Sequence, residues 1–252
     1  MTKTIRSLLI ILIITTITIG GLALFCNNFN NTPLKDIGFS HLKMNCLGDS
    51  ITYGYDGARG GAQLPNPYPK LLQNELGLKQ VRNYGISGST LTSVHPDRDP
   101  MCIRYAYMNN DADIISVMGG FNDYWLNIEL GTIEDENTTT IYGALNTLAK
   151  GLKNKYPNAY IFFMTPYIWG LDSGTNDIGY SLLYIANAIK QVCYINNIDV
   201  LDMYTLGQFE LDFVNYNCDK LHPTQWFLDN YTAPQIAQFI IDNYNKDNEI
   251  IE

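Results

Sequence analysis

The stretch Leu-Gly-Asp-Ser-Ile-Thr-Tyr-Gly, residues 47–54, ends an apolar run. An apolar run that breaks at glycine and small polar residues is typical of a buried strand that turns into a helix. Similar runs recur at spacings of about 30 to 45 residues and alternate with segments of helical periodicity. The predicted strands are Lys43–Leu47, Gln80–Tyr84, Ile114–Met118, Tyr160–Met164 and Ile198–Leu201, and the predicted helices are Tyr68–Leu76, Ile141–Lys155, Ile178–Ile195 and Ala233–Tyr244.

This alternation predicts an α/β fold with a mainly parallel five-stranded sheet. Parallel strands need crossover connections, which are normally right-handed and place helices on the faces of the sheet. In open sheets of this kind, ligands bind beyond the carboxyl ends of the strands. The residues that directly follow each predicted strand are therefore the candidates for function.

The composition limits the functions that are open to the chain. It has 252 residues, 46% of them hydrophobic, which suffices for one large domain with a substantial core. We expect no nucleic-acid partner, because the chain has 16 Lys and Arg but 25 Asp and Glu, which leaves few basic side chains to form a positively charged face. The 5 Cys show no CxxC spacing and the 3 His are far apart, so neither a metal site nor a cofactor is predicted.

The amino terminus has the features of an export signal. Lys3 and Arg6 precede an uncharged, largely apolar run, residues 7–25, which is long enough to cross a bilayer. Two interpretations of residues 1–26 stay open, a cleaved signal peptide and an uncleaved signal anchor. A lipid-modified Cys26 is less favoured, because a bulky phenylalanine precedes it.

The rest of the chain divides simply. Residues 27–40 are rich in Asn and predict a polar linker, and residues 41–252 contain no second linker and predict a single domain. We expect that domain to work outside the cytoplasm, in the extracellular space or at the cell surface. We also expect a monomer that touches a membrane only through its amino-terminal segment, if that segment is uncleaved.

Four short motifs follow the predicted strands or lie near the carboxyl terminus. They are Gly48-Asp49-Ser50, the run Asn83 to Gly88, Gly120-Phe121-Asn122-Asp123, and Asp219-Lys220-Leu221-His222. A serine hydroxyl is a weak nucleophile near neutral pH and needs a base within hydrogen-bond reach, for which imidazole is well suited. His222 is the natural partner of Ser50, and Asp219, three residues before His222, can hold the other ring nitrogen.

Together these motifs resemble the four signature blocks of the SGNH or GDSL hydrolases, across about residues 42–244. The resemblance implies a flavodoxin-like three-layer α/β/α sandwich and the hydrolysis of esters through a serine nucleophile, without a cofactor. It implies the catalytic residues Ser50, Asp219 and His222 and an oxyanion hole formed by the N–H groups of Ser50 and Gly88 and the side chain of Asn122.

Two of these assignments have alternatives in the sequence. Gly85 lies in the same motif as Gly88, but Gly88 follows the small residue of the N-x-x-x-[SA]-G pattern, as the donor of the family does. A second GxND motif contains Asn176, yet only Asn122 follows directly on a strand-like run. We therefore prefer Gly88 and Asn122.

Single residues in these motifs also have structural interpretations. Ser50 alone would suit the N-cap of a helix, but its GDS context and the DxxH motif downstream favour a nucleophile. Asp49 and Asp123 flank the candidate residues, and we expect them to hold loop backbone by hydrogen bonds.

Aromatic residues near the predicted strand ends suggest a substrate. Two interpretations of these aromatic residues stay open: they stack on sugar rings, or they are ordinary residues of the core or its rim. The residues are Tyr124, Trp125, Tyr167, Trp169 and Trp226. Of these, the predicted substrate-binding residues are Tyr124, Trp125 and Trp226. The preferred substrate is a small-molecule or polysaccharide ester, with short acyl groups, above all acetyl, on carbohydrate. The alternatives are a lysophospholipase, lipase or thioesterase with lipid-like substrates, and a membrane-tethered carbohydrate-binding module without catalysis.

The remaining cysteines divide into two groups. Cys46 and Cys193 lie in apolar elements and are expected to be buried free thiols. A disulfide between Cys102 and Cys218 would brace the loop of Asp219 in an oxidising compartment, and we treat that pairing as a hypothesis.

Overall fold

The five predicted strands form one parallel sheet in the computed structural model, which describes residues 38–167, 174–206, 219 and 221–248. The strands are β1 (Lys43–Gly48), β2 (Gln80–Gly85), β3 (Ile114–Met118), β4 (Tyr160–Met164) and β5 (Asp199–Leu201). Their order is β2-β1-β3-β4-β5, and every neighbouring pair is parallel. This is the strand order of flavodoxin-like sheets, so the predicted fold class is confirmed.

Helices and short helical turns connect the strands. In chain order, the helices of the described residues are α1 (Ser50–Tyr53), α2 (Tyr68–Glu75), α3 (Met101–Arg104), α4 (Phe121–Trp125), α5 (Ile141–Lys155), α6 (Leu182–Ile195), α7 (Met203–Leu206), α8 (Gln225–Phe227) and α9 (Ala233–Asn248). A π-helical turn, Leu228–Thr232, joins α8 to α9. Within this described part of the chain, no helix has both the length and the apolar character that a membrane span requires.

The sheet has an apolar core on each of its faces, because successive side chains of a strand point to opposite sides. Leu47 and Ile115 are buried in one core together with side chains of α5 and α6. Met44 and Ile114 are buried in the other, together with side chains of α2 and α9. Each such side chain contributes about 1.5 to 3 kcal/mol when fully buried. The result is a three-layer α/β/α sandwich.

The helix predicted over Ile178–Ile195 begins later, at Leu182, so this boundary was wrong. Asn176 and Tyr180 close a turn instead. The backbone N–H of Asn176 donates to the backbone oxygen of Tyr180, and the backbone N–H of Tyr180 donates to the side-chain oxygen of Asn176. Gly179 within the turn has a φ of 87°, which a helix cannot contain. The last helix runs to Asn248, beyond the predicted end at Tyr244.

Arg104, at the end of α3, joins the carboxyl ends of two strands. Its guanidinium group donates to the backbone oxygens of Gly48 at the end of β1 and Tyr84 in β2. It also donates to the backbone oxygen of Asp99, at 2.8 Å, and to the hydroxyl of Ser89, at 3.0 Å. Burial lowers the pKa of Arg104 to about 10, so the group remains a cation at neutral pH. One side chain thus ties β1, β2 and the loop after β2 together.

Two buried carboxyl groups, Asp49 and Asp123, lie near the candidate residues, and Asp49 also interacts with the Arg104 cation. Asp123 accepts hydrogen bonds from the backbone N–H groups of Leu91 and Thr92 and from the Thr92 hydroxyl. Burial raises the pKa of Asp123 above its usual value, and it raises the pKa of Asp49 to about 7 against the opposing effect of its hydrogen bond from Ile51. Both side chains hold loop backbone, which agrees with the role expected for them.

Several predictions concern residues outside the described ones. The export segment, residues 1–26, most of the linker and Cys218 all lie there, so the predicted domain boundaries remain predictions. Cys46, Cys102 and Cys193 are buried free thiols. This agrees with the expectation for Cys46 and Cys193, and the structure gives the hypothetical bridge from Cys102 no support.

We expect the substitution Asp49→Asn to flatten the pH dependence of stability between about pH 4 and pH 7. The pKa of Asp49 rises from an ordinary 3.8 to about 7 on folding, so the folded state binds the proton more tightly. The stability that this proton contributes is fully present below about pH 4 and is lost as the pH rises through 7. Asparagine keeps an oxygen that can accept from Ile51 but does not titrate.

The measurement is the free energy of unfolding in urea at several pH values, for the wild-type protein and the variant. Titrating groups that do not interact with Asp49 are common to both proteins and cancel in the difference. Two parallel curves across this range would contradict the prediction.

Candidate active site

Ser50 begins α1 directly after β1 and is 8% exposed. The N-cap of this helix is Asp49, whose carboxylate accepts from the N–H of Ile51 at 3.0 Å, so the capping interpretation of Ser50 does not hold. A Cβ atom on Gly48 would lie only 1.9 Å from the hydroxyl oxygen of Thr52. Glycine is therefore required at this position, and it lets α1 fold back tightly on the end of the strand.

The structure brings together the three predicted catalytic residues. His222, which lies 172 positions after Ser50, has its Nε2 atom 2.9 Å from the Ser50 hydroxyl oxygen. Its Nδ1 atom lies 2.7 Å from a carboxylate oxygen of Asp219. The other carboxylate oxygen accepts from the backbone N–H groups of Leu221, at 3.0 Å, and of His222, at 2.7 Å. Asp219 thus holds both the backbone and the ring of the histidine.

These contacts decide the protonation pattern. A carboxylate can only accept hydrogen bonds, so Nδ1 of His222 carries a hydrogen, and in the neutral imidazole Nε2 is then the acceptor for the Ser50 hydroxyl. Partial burial acts to raise the pKa of Asp219, but the hydrogen bonds from His222 and Leu221 outweigh it and hold this pKa below its usual value. The carboxylate is therefore ionised at neutral pH and stabilises a positive charge on the imidazole.

The loop after β2 carries the predicted backbone donor, Gly88. Gly88 has a φ of 81°, in the left-handed region that favours glycine. Within the described part of the chain, the structure gives the N–H of Gly88 no hydrogen-bond partner. The N–H of Gly85, in contrast, donates to the side chain of Asn83 at 2.8 Å. This difference supports Gly88 over Gly85 as an oxyanion donor.

Asn122 lies in α4, directly after β3, and its side-chain nitrogen donates to the backbone oxygen of Ser89 at 2.9 Å. An amide has two N–H groups, so one is left for a ligand. The rival Asn176 uses its side chain to donate to the backbone oxygen of Tyr124 and to accept from Tyr180. Asn176 therefore fixes a turn, whereas Asn122 faces the loop that carries Gly88.

Two of the predicted substrate-binding aromatics are exposed. Trp125, in the same helix as Asn122, is 66% exposed, and Trp226, in α8, is 54% exposed. Tyr124 is only half-buried and, with Trp125, lines a cavity of about 370 Å³ whose other walls are Asn127, Thr175, Asn176 and Asp177.

The other two aromatics of the sequence analysis do not add to this surface. Tyr167 is fully buried and its hydroxyl donates to Thr232, which makes it a core residue. Trp169 lies outside the described residues.

Sequence reasoning missed three residues around the candidate site. The ring of Tyr55 lies against the imidazole of His222, with centroids 4.3 Å apart, and Gly57 lies against the carboxylate of Asp219. Arg104 is the third, and it joins the carboxyl ends of β1 and β2. The glycine-rich run that follows Ser50 signalled a tight loop, but nothing local to Arg104 or Tyr55 indicated their distant partners.

The described residues contain no cluster of three or more His, Cys, Asp or Glu side chains that would hold a metal ion. No curated protein matches the chain at a significant level.

Solved structures resemble the fold closely. A protein from Lactobacillus plantarum is 31% identical, with a TM-score of 0.69 over 81% of this chain and 98% of that one. The acetylxylan esterase Axe2 from Geobacillus stearothermophilus is 22% identical, with a TM-score of 0.58 over 80% of this chain and 94% of that one. A candidate GDSL-like lipase from Bacteroides ovatus is 19% identical, with a TM-score of 0.59 over 81% of this chain and all of that one. The last two likenesses concern the fold alone.

The family comparison goes further than the fold. Residues 46–226 match the model of the GDSL-like Lipase/Acylhydrolase family, a range that begins within β1 and includes all four motifs. The resemblance that the motifs indicated is thereby confirmed, and the chain belongs to the GDSL-like lipase/acylhydrolase family of hydrolases.

Proposed function

We propose that this protein is an exported serine esterase that removes short acyl groups, above all acetyl, from carbohydrate. The observation that carries the proposal is the continuous chain of hydrogen bonds from Ser50 through His222 to Asp219. It joins a nucleophile, a base and a carboxylate in the order that acyl transfer requires. The export itself rests on the sequence of residues 1–26 alone.

In the first half of the reaction, the Ser50 oxygen attacks the ester carbonyl while its proton moves to Nε2 of His222. The carbonyl oxygen becomes negatively charged, and the N–H groups of Ser50 and Gly88 and the Asn122 amide donate to it. One donor of this kind typically contributes on the order of 10² to 10³ in rate. His222 then gives its proton to the leaving alcohol oxygen, the carbon–oxygen bond breaks, and the acyl group remains on Ser50.

The second half repeats these steps with water. His222 takes a proton from a water molecule, whose oxygen attacks the acyl carbon, and the same donors hold the oxyanion. When the intermediate collapses, the proton returns to Ser50 and the carboxylic acid leaves. Throughout, Asp219 keeps Nδ1 protonated and stabilises the imidazolium that forms in each half.

Three features of the chain and one structural neighbour support a carbohydrate substrate. The exposed indole of Trp125 lies one helical turn after Asn122, so a ring stacked on it would lie beside the proposed oxyanion hole. The adjoining cavity has polar walls, which suit the hydroxyl groups of a sugar. The chain carries a net charge of -9, which favours neutral substrates over polyanions. A structural neighbour is named for acetylated xylan, an ester of this class.

One observation favours the second candidate, a lysophospholipase, lipase or thioesterase. Apolar side chains are exposed at the start of α6 and just before it, namely Ile178 at 38%, Leu183 at 41% and Tyr184 at 52%. A rim of this kind would suit a long acyl chain. The polar cavity next to Trp125 argues for the carbohydrate ester, and the experiments below separate the two.

Replacing Ser50 by alanine should abolish turnover of a short-chain aryl ester, with a loss of kcat of about 10⁴-fold or more. Labelling by a serine-directed fluorophosphonate should disappear as well. A matched control is Ser181→Ala, because Ser181 also lies at a helix start and its side chain makes no capping bond.

The measurements are steady-state kinetics and probe labelling, with circular dichroism to check the fold. Unchanged turnover in Ser50→Ala would refute the assignment of the nucleophile. A wild-type protein that neither turns over esters nor takes the label would favour the non-catalytic binding module.

Replacing Trp125 by alanine should raise KM about five- to tenfold for acetylated xylooligosaccharides, because the stacking surface for the sugar is lost. KM for a small aryl acetate should stay within twofold. Tyr107→Ala is the control, since Tyr107 is 81% exposed and precedes the amino end of β3, at the opposite edge of the sheet.

The comparison uses acetylated xylooligosaccharides, an aryl acetate and a long-chain ester with each protein. A higher kcat/KM for the long-chain ester than for both acetates would favour the lipid-active alternative. An equal effect of Trp125→Ala on all three substrates would contradict its role in binding sugar.

A further inference from the structure

We propose that residues 54–64, which we call the covering loop, position His222, the proposed general base, and its partner Asp219 through two contacts. The ring of Tyr55 supports the imidazole of His222, and Gly57 leaves the space that the carboxylate of Asp219 occupies. Tyr55 and Gly57 are positioning residues, because they act through His222 and Asp219 and not on the substrate. The inference rests on the proposed function and adds a further set of residues to it.

The first contact is between two rings. The centroids of Tyr55 and His222 are 4.3 Å apart, and the ring planes are tilted by 33°. A cation within about 6 Å of an aromatic face is attracted to it, so Tyr55 favours the imidazolium that forms when Ser50 loses its proton. The backbone N–H of Tyr55 donates to the backbone oxygen of Ser50 at 2.9 Å. Tyr55 is therefore tied to the nucleophile as well as to the base.

The second contact is one that only glycine permits. A Cβ atom at position 57 would lie 2.3 Å from the carboxylate oxygen Oδ2 of Asp219 and 2.5 Å from its carboxyl carbon. That same oxygen pairs with Nδ1 of His222. The backbone of Gly57 is not in the left-handed region, so its conformation alone would admit other residues. The space beside Asp219 is what requires glycine.

Internal hydrogen bonds hold the covering loop in shape. The backbone N–H of Asp56 donates to Ala62, and that of Leu64 donates to Gly54 at 2.7 Å. The carboxylate of Asp56 accepts from the N–H of Ala58 at 2.9 Å and from the side chain of Arg59. The loop can therefore hold the two catalytic side chains in place before a substrate binds.

A second glycine, Gly61, leaves room for the ring of Tyr55. A Cβ atom on Gly61 would lie 2.6 Å from the ring of Tyr55, so a side chain there would push the ring away. The covered histidine is only 9% exposed, although Asp219 itself is not buried. Tyr55 thus contributes to excluding water from the imidazole, which strengthens its interaction with the carboxylate.

The test compares Tyr55→Leu, Tyr55→Phe and the control Tyr194→Leu. We expect Tyr55→Leu to lower kcat for an aryl acetate about tenfold with KM within twofold, since the lost contact acts on the imidazolium and not on the substrate. Tyr55→Phe keeps the ring and should retain most of the wild-type kcat. Tyr194 is 84% exposed near the end of α6 and should have no effect.

A second pair of variants does not depend on how Tyr55→Leu folds. Gly57→Ala should lower kcat at least tenfold, because the added methyl group would force Asp219 and the covering loop apart. Gly174→Ala is the matched control, since a Cβ atom at Gly174 meets nothing within 4 Å and its backbone also lies outside the left-handed region. The rate of fluorophosphonate labelling should fall in parallel with kcat.

Three results would overturn the inference: wild-type kcat in both Tyr55→Leu and Gly57→Ala, equal losses in Tyr55→Leu and Tyr55→Phe, or losses that appear in KM only. These results presuppose an active wild-type protein. Absence of turnover and of labelling in the wild-type protein would instead contradict the proposed function itself.

Discussion

The hydrogen bonds of Arg104 set the geometry on which the candidate site depends. The guanidinium group holds the backbone oxygens of Gly48 and Tyr84, at the ends of two neighbouring strands, and the hydroxyl of Ser89 in the next loop. Ser89 in turn accepts from the side chain of Asn122. Ser50 follows Gly48 closely and Gly88 precedes Ser89, so one cation fixes the elements that carry both the proposed nucleophile and the proposed oxyanion donors.

Parallel strands make such a concentration of groups possible. All carboxyl ends of a parallel sheet meet at one edge, and the chain reverses its order of strands between β1 and β3. Ser50 and Asn122 follow those two strands directly. His222 and Asp219 arrive from a distant part of the chain and are fixed by contacts with Ser50, Tyr55 and each other. The sheet thus positions Ser50 and Asn122, whereas side-chain contacts position Asp219 and His222.

The sequence predicted the elements whose signals are local. The alternation of apolar runs gave five strands within about one residue of their bounds, and helix α5 was predicted with the observed ends. The start of α6 was missed, because the turn closed by Asn176 competes with the helical pattern. The motifs predicted which residues meet at Ser50. Arg104 and Tyr55 could not be predicted, because their partners lie far away or on other elements and leave no local pattern.

The buried charges near the site bear on the oxyanion of the proposed reaction. Asp49 and Asp123 adjoin Ser50 and Asn122, so two ionised carboxylates there would repel a negative charge that forms between them. Burial raises the pKa of both carboxyl groups, and that of Asp49 reaches about 7, so the charge of Asp49 is reduced near neutral pH. Arg104 stays positive beside Asp49. In the proposed reaction, the burial that raises the pKa of Asp49 therefore also weakens its repulsion of an oxyanion formed next to Ser50.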